Sequence, residues 1–151
     1  MKKVIAAASL GGHWVQLLRI SRSMEDRYDM VYLSTHPKCA TMVEGQKYYQ
    51  MKNFSRWDAW KVVPSFIRVL GILLLERPDA IITTGAAPGL VCVMAGKLLG
   101  VKTIWVDSIA NVEHLSASGR LAKRFASRVY TQWEDLKSNS IVYQGNILGY
   151  S

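Results

Sequence analysis

Three clusters of small and polar residues in this chain have the makings of a ligand site. The first is Ser9-Leu10-Gly11-Gly12-His13. Adjacent glycines let the backbone turn tightly and leave N–H groups facing outward, and a helix starting there adds its positive end. A phosphate or a sugar oxygen suits such a turn. His13 stands where it could touch the bound group or take a proton as general base, although a histidine that only completes a structural turn fits the spacing equally. The second cluster is Thr83-Thr84-Gly85-Ala86-Ala87-Pro88-Gly89. Pro88 suits a first helical turn, where a missing N–H costs nothing, and the small side chains admit either a ligand or a neighbouring loop. The third places Asp107, Ser108, Asn111, Glu113, His114, Ser116 and Ser118 within 12 positions. Hydroxyl, amide and carboxylate groups held together in this way are what carbohydrate recognition needs.

Other chemistries lack their residues. The glycine turn is not G-x-G-x-x-G, no Gly-Lys-Ser/Thr follows it, and no Gly-x-Ser-x-Gly elbow is present. Asp107, Glu113 and His114 do not form a metal-ligand spacing, and His36 lies elsewhere. No metal and no bound cofactor is expected.

These clusters need a scaffold, and the patterning supplies one. Strands are expected at Val4–Ala7, Asp29–Leu33, Tyr48–Met51, Ala80–Thr83 and Thr103–Val106, with further extended pieces at Val129-Tyr130 and Ile141–Tyr143. Helices are expected from Trp14 to about Met24, near Pro37–Val43, over Trp57–Glu76, over Pro88–Leu99 and at Leu121–Ala126. This alternation predicts a Rossmann-like α/β domain, a mostly parallel sheet flanked by helices, with ligands at the carboxyl ends of the strands. All three clusters fall at such ends.

The 151 residues fit one domain, taken as 1–151, and half of them are hydrophobic. Nineteen basic against eleven acidic residues give a formal charge of +8, which calls for an anionic partner without naming it. No nucleic-acid motif is present, and the aromatic residues are not interleaved with the basic ones, so nucleic acid is not expected. Met1–Ala8 reads as a first strand rather than a signal peptide, because it runs straight into the glycine turn. Cys39 and Cys92 are expected as reduced thiols. The nearly apolar run from Val62 to Leu75 would make a helix of about 21 Å, short of a hydrocarbon core of roughly 30 Å.

That long helix carries more apolar surface than sheet packing requires. Asp58, Lys61, Ser65 and Arg68 form one narrow polar stripe, and Trp57, Trp60, Phe66 and several leucines cover most of the rest. With Lys61 and Arg68 alongside, the pattern fits shallow burial in an anionic membrane surface. A core helix, or one covered by a partner, is the alternative.

Gly11-Gly12-His13, Ile82-Thr83-Thr84-Gly85-Ala86 and above all the stretch from Trp105-Val106-Asp107-Ser108 to Val112-Glu113-His114-Leu115-Ser116-Ala117-Ser118-Gly119-Arg120 resemble the Alg14-like proteins of oligosaccharide synthesis. Their bacterial relatives are capsule and exopolysaccharide subunits of the PssD type. Tyr130-Thr131-Gln132-Trp133, Leu136 and Tyr143-Gln144-Gly145-Asn146 extend the resemblance over essentially the whole chain.

The resemblance implies the amino-terminal half of a GT-B glycosyltransferase, the class that includes MurG. It implies a separate Alg13-like (PssE-type) subunit that binds a UDP-sugar, and a polyprenyl-diphosphate-linked sugar as acceptor. Transfer would invert the anomeric carbon without a metal. Gly11 and Gly12 would lie near the acceptor diphosphate, with His13 as general base. Thr84, Gly85, Asp107, Ser108, Asn111, Glu113, His114, Ser116 and Ser118 are the expected acceptor-binding set, and Trp57, Trp60, Lys61, Phe66 and Arg68 the membrane-associating set. The expected location is peripheral, on the cytoplasmic face of the inner membrane. The chain departs from eukaryotic members at Asp107 and Asn111, where they usually carry Glu and Arg, so the sugar handled is expected to differ. The rival readings are a non-catalytic membrane scaffold that positions a self-sufficient transferase, and a one-domain nucleotide-binding enzyme.

Overall fold

The computed structural model describes residues 1–54 and 56–149, with the side chains of Arg56, Trp57 and Ala59 outside that description. Seven strands form one sheet: β1 (Lys3–Ala7), β2 (Asp29–Ser34), β3 (Lys47–Gln50), β4 (Ala80–Thr83), β5 (Lys102–Val106), β6 (Arg128–Thr131) and β7 (Val142–Tyr143). Their order is β3-β2-β1-β4-β5-β6-β7, and every pairing is parallel. The chain winds outward from β1 to β3, then crosses to β4 and winds the other way. β1 and β4 therefore flank the point where the winding reverses, the place where open α/β sheets leave a crevice for ligands.

Helices α1 (Gly12–Ser21) and α2 (Pro37–Thr41) cover one face, and α3 (Val62–Glu76), α4 (Ala86–Leu98) and α5 (Ala117–Ala122) the other. β1 shows why both faces are covered. Val4 and Ala6 pack with Trp14 and Leu17 of α1, and Ile5 and Ala7 with Val69 and Leu73 of α3, so alternate side chains feed two cores. α4 lies very close to the sheet, because a methyl group at Gly96 would stand 2.6 Å from Thr103 Cγ2 and 2.8 Å from Ile81 Cδ1.

The helix expected over 57–76 is two elements. A 3₁₀ segment at Arg56–Lys61, non-helical at Asp58, precedes α3. Pro64 explains the division. In a continuous helix its ring would meet the carbonyl four residues back, whereas in the first turn of α3 its missing N–H has no partner to lose. α3 ends where Arg77 turns left-handed (φ 48°) and its N–H bonds the Leu73 carbonyl at 2.9 Å, just before Pro78. α5 also starts earlier than its apolar pattern indicates, because Ser116 caps it by accepting the Gly119 N–H at 2.9 Å.

At the amino-terminal edge of the sheet Glu76 is buried, and its carboxylate accepts from Lys3 Nζ (2.9 Å), Lys47 Nζ (3.0 Å) and Tyr49 Oη (2.5 Å). Burial pushes the carboxyl up, but the bonds from Tyr49, Lys3 and Lys47 outweigh it and hold the pKa at about 2. The same bond to Glu76 pushes the Tyr49 hydroxyl up.

Candidate functional site

At the carboxyl-terminal edge, the two glycine turns meet across the β1–β4 crevice. His13, in the first turn of α1, places Nδ1 3.0 Å from the Thr84 carbonyl, and Thr84 Oγ1 donates to the His13 carbonyl at 2.5 Å. A carbonyl only accepts, so Nδ1 carries the proton and Nε2 keeps the lone pair in the neutral ring. No described residue hydrogen-bonds Nε2. Gly85 makes the clasp possible. Its φ of +127° is strained for an L side chain, and a Cβ there would sit 3.1 Å from His13 Nδ1 and 3.6 Å from Trp105 Cζ2.

Both helices that start at this crevice are uncapped by side chains, α1 after Gly11 (φ +108°) and α4 after Gly85. Of the other helices, α2 and α5 are capped by His36 and Ser116, while α3 also starts without a side-chain cap. The crevice thus faces two helix N-termini whose first N–H groups are unclaimed by side chains, an arrangement that favours an anion.

The third cluster divides into an inner and an outer part. Asp107 is 2% exposed, and its carboxylate accepts from Trp105 Nε1 (3.0 Å), Asn111 Nδ2 (3.2 Å), Ser116 N (2.9 Å) and Ser116 Oγ (2.7 Å). Gly119 packs so closely that a Cβ would lie 2.5 Å from Asp107 Oδ1. Ser108 is buried and accepts from Gln16 Nε2 at 3.0 Å. Gln16 Oε1 in turn accepts from the Ile109 N–H (3.1 Å) and Gln132 Nε2 (2.7 Å), and Gln132 Nε2 also reaches the Asp107 carbonyl (2.9 Å). Asp107, Ser108, Asn111 and Ser116 therefore shape the loop after β5 from within. Glu113 and His114 are exposed on its outside, and Ser118 is half-buried beside α4. Trp105 links the two parts of the site, its ring facing the space where a Gly85 Cβ would stand and its N–H donating to Asp107.

Gln16 and Gln132 are absent from the residues expected at the site, yet they tie α1 and β6 to the loop. The readable signal for Gln16 was an amide among Trp14, Leu17 and Leu18, on the face of α1 that must be buried.

The family model of Alg14-like oligosaccharide biosynthesis proteins matches residues 38–147. The chain belongs to the Alg14-like family. Among its relatives, the UDP-N-acetylglucosamine--N-acetylmuramyl-(pentapeptide) pyrophosphoryl-undecaprenol N-acetylglucosamine transferase of Desulforamulus reducens is 29% identical, over 97% of this chain and 41% of its own length. The Staphylococcus saprophyticus protein of the same name is 25% identical over 80% of this chain and 37% of its own. The chain thus spans less than half the length of these relatives. In fold it resembles Acinetobacter baumannii MurG, with a TM-score of 0.81 at 16% identity over 100% of this chain and 47% of the other. It also resembles the UDP-N-acetylglucosamine 2-epimerase of Rickettsia bellii, with a TM-score of 0.75 at 12% identity over 98% and 46%. This Alg14-like chain accordingly has a Rossmann-like fold of the GT-B type.

Its α3 layer differs from the simple wheel. The inward face includes Ser65 and Glu76 as well as Val69, Ile72 and Leu73, so the supposed outer polar stripe is turned partly inward at Ser65. The outward face is apolar: Val63, Ile67, Leu74 and Leu75 are exposed, and Trp60 ahead of the helix is 71% exposed. Lys61 lies over the Trp60 ring at 5.2 Å and 3.8 Å from Asp58, and Arg68 donates to the Gln50 carbonyl. Phe66 is half-buried against the core, and the side chain of Trp57 lies outside the described residues. No helix among the described residues is long and apolar enough to cross a membrane.

Proposed function

We propose that this chain is the acceptor-binding subunit of an inverting two-chain glycosyltransferase. Its acceptor is a polyprenyl-diphosphate-linked saccharide in capsule or exopolysaccharide synthesis, and an Alg13-like subunit supplies the UDP-sugar site. The observation that carries this reading is the His13–Thr84 clasp between two uncapped helix N-termini. It offers a basic imidazole nitrogen beside an anion-favouring crevice, in a chain of the Alg14-like family. The acceptor diphosphate lies against the backbone at Gly11 and Gly12 and the first turn of α4, beside Gly85, whose own N–H is held by Thr83 Oγ1 at 3.2 Å. The acceptor hydroxyl attacks the anomeric carbon of the donor, its proton passes to His13 Nε2, and UDP departs with the electron pair of the broken bond. The Thr84 carbonyl fixes the tautomer and ring orientation that this transfer needs. Asp107, Ser108, Asn111 and Ser116 hold the loop on which Glu113, His114 and Ser118 meet the sugar.

The outward apolar face of α3 with Trp60, Lys61 and Arg68 docks on the cytoplasmic face of the inner membrane as a peripheral surface. The exposure of Trp60, Val63, Ile67, Leu74 and Leu75 supports this, since so large an apolar face is seldom left to water.

Sugar transfer from a panel of UDP-sugars to membrane lipid acceptors tests the proposal, with this chain alone, its partner alone and the two coexpressed. Activity is expected only from the pair, and His13→Ala is expected to lower it about 100-fold or more while still copurifying with the partner. Full activity of the partner alone would reduce the chain to a scaffold, and wild-type rates with His13→Ala would remove the base assignment.

A further inference from the structure

The crevice between β1 and β4 has the loop after β5 on one side. On the other side, at the carboxyl ends of β2 and β3, lies a cavity of about 500 Å³. We propose that this cavity binds a sugar unit carrying a carboxylate, a uronic acid, and so selects an acidic saccharide. That the saccharide belongs to the acceptor rests on the reading of the crevice given above; the binding itself does not.

The positive charge of the cavity is not answered from within the chain. Lys52 and Arg68 both line it, and neither pairs with a carboxylate among the described residues. Arg68 stands at the margin of the apolar face of α3, with its guanidinium drawn to the end of β3. Its Nε and Nη2 donate to the Gln50 carbonyl at 3.0 and 2.6 Å, which fixes the guanidinium plane, and no described residue bonds Nη1. A planar carboxylate can take two parallel bonds from that remaining edge, with Lys52 supplying the second charge.

The remaining walls suit a sugar ring better than a phosphate. Pro64, the third residue of α3, and the buried Met51 present carbon, where the glycine turn presents backbone N–H groups. A pyranose lays its C–H face on such a surface, and its hydroxyls find partners in Thr35, Ser65 and the Gln50 side chain. The volume lies within the range of about 300–1,000 Å³ typical of small-molecule sites and exceeds what a lone phosphate fills. Thr35 also ties the cavity to the crevice, because its Oγ1 accepts at 3.3 Å from the N–H of Leu10, directly ahead of Gly11. A sugar held here therefore lies beside the turn that favours an anion.

NMR titration of the full chain with methyl β-glucuronide, with the neutral methyl β-glucoside and with inorganic diphosphate tests the subsite. The glucuronide is expected to bind at least about tenfold more tightly than the glucoside, because charge-assisted hydrogen bonds contribute that factor or more. It should shift the amides of Thr35, Met51 and Ser65, whereas diphosphate should shift those of Gly11 and Gly12. Lys52→Gln and Arg68→Gln, both at exposed positions, are expected to reduce the preference to about twofold or less while diphosphate binds as before. Equal binding of the two glycosides, or a preference that survives in both variants, would overturn the carboxylate subsite. So would diphosphate displacing the glucuronide from the cavity, which would make it a phosphate site. A glucuronide that does not bind would overturn the subsite and leave the crevice reading standing if diphosphate still shifted Gly11 and Gly12. Binding of the glucuronide without binding of diphosphate would keep the subsite and remove the acceptor reading of the crevice.

Discussion

The two ends of the sheet treat polar groups in opposite ways. At the amino-terminal end a buried carboxylate, Glu76, is met by two ammonium groups and a phenol, so its charge has counter-ions. At the carboxyl-terminal end a buried carboxylate, Asp107, is met by an indole, an amide, a hydroxyl and a backbone N–H, all uncharged. Four donors satisfy it there without a counter-ion, and the helix N-termini nearby keep backbone donors free of side-chain caps. The first arrangement ties α3 to β1 and β3, whereas the second holds the loop after β5 in place. If the crevice takes an anion, as proposed, a lysine paired with Asp107 would compete with that ligand, and neutral donors avoid the competition.

Breaking the larger of the two networks should have the largest effect. Asp107→Ala leaves buried donors on Trp105 and Ser116 without an acceptor, with an expected loss of about 4 kcal/mol in urea unfolding. Glu76→Gln is expected to cost on the order of 3 kcal/mol at pH 7, in line with the drop of its pKa from 4.5 to about 2. Because the folded value lies below the unfolded one, this stabilisation is present in full above about pH 4.5 and is lost as pH falls towards 2. Urea midpoints measured between pH 7 and pH 2.5 should show the wild-type decline and a flatter line for Glu76→Gln. Transfer by the folded Glu76→Gln protein with its partner should match wild type, which separates the two ends functionally.

Smaller effects sharpen the contrast. Gly119→Ala would crowd Asp107 and is expected to cost about 2 kcal/mol, read from the shift in thermal midpoint. Thr84→Val removes one hydrogen bond, with an expected stability loss of about 1 kcal/mol. Its rate of sugar transfer, measured with the partner present, should fall further than that loss accounts for, since the bond also positions His13. Ala86 has a φ of +65°, so Ala86→Gly should raise the thermal midpoint by the equivalent of up to about 1 kcal/mol.

Much of the scaffold was legible from local pattern. β4 runs over Ala80–Thr83 as its β-branched pair indicates, and the other strands lie within a residue or two of their apolar runs. Elements whose limits depend on single polar residues were less so. The start of α5 belongs to the Ser116 cap, and the start of α3 to Pro64, neither of which a hydrophobic wheel weighs. Ser65 read as part of a polar stripe, and nothing in the pattern marked Glu76 for burial, because a wheel assumes that polar side chains seek water. Glu76 instead faces inward, where Lys3, Lys47 and Tyr49 from two strands supply its bonds. Gln16 was hidden for the same reason, since its partners Ser108, Ile109 and Gln132 lie 92 or more positions away.

The sequence by itself determined the alternation of strands and helices, the three polar clusters at strand ends and the surplus of apolar residues around α3, because each follows from periodicity and residue type within a short window. Only the tertiary structure decided that two of those clusters clasp each other across the β1–β4 crevice, that Asp107 faces inward, and that the apolar surplus points away from the sheet. Those outcomes depend on strand order and on hydrogen bonds between residues tens of positions apart, and no local spacing records which distant donor will meet which acceptor.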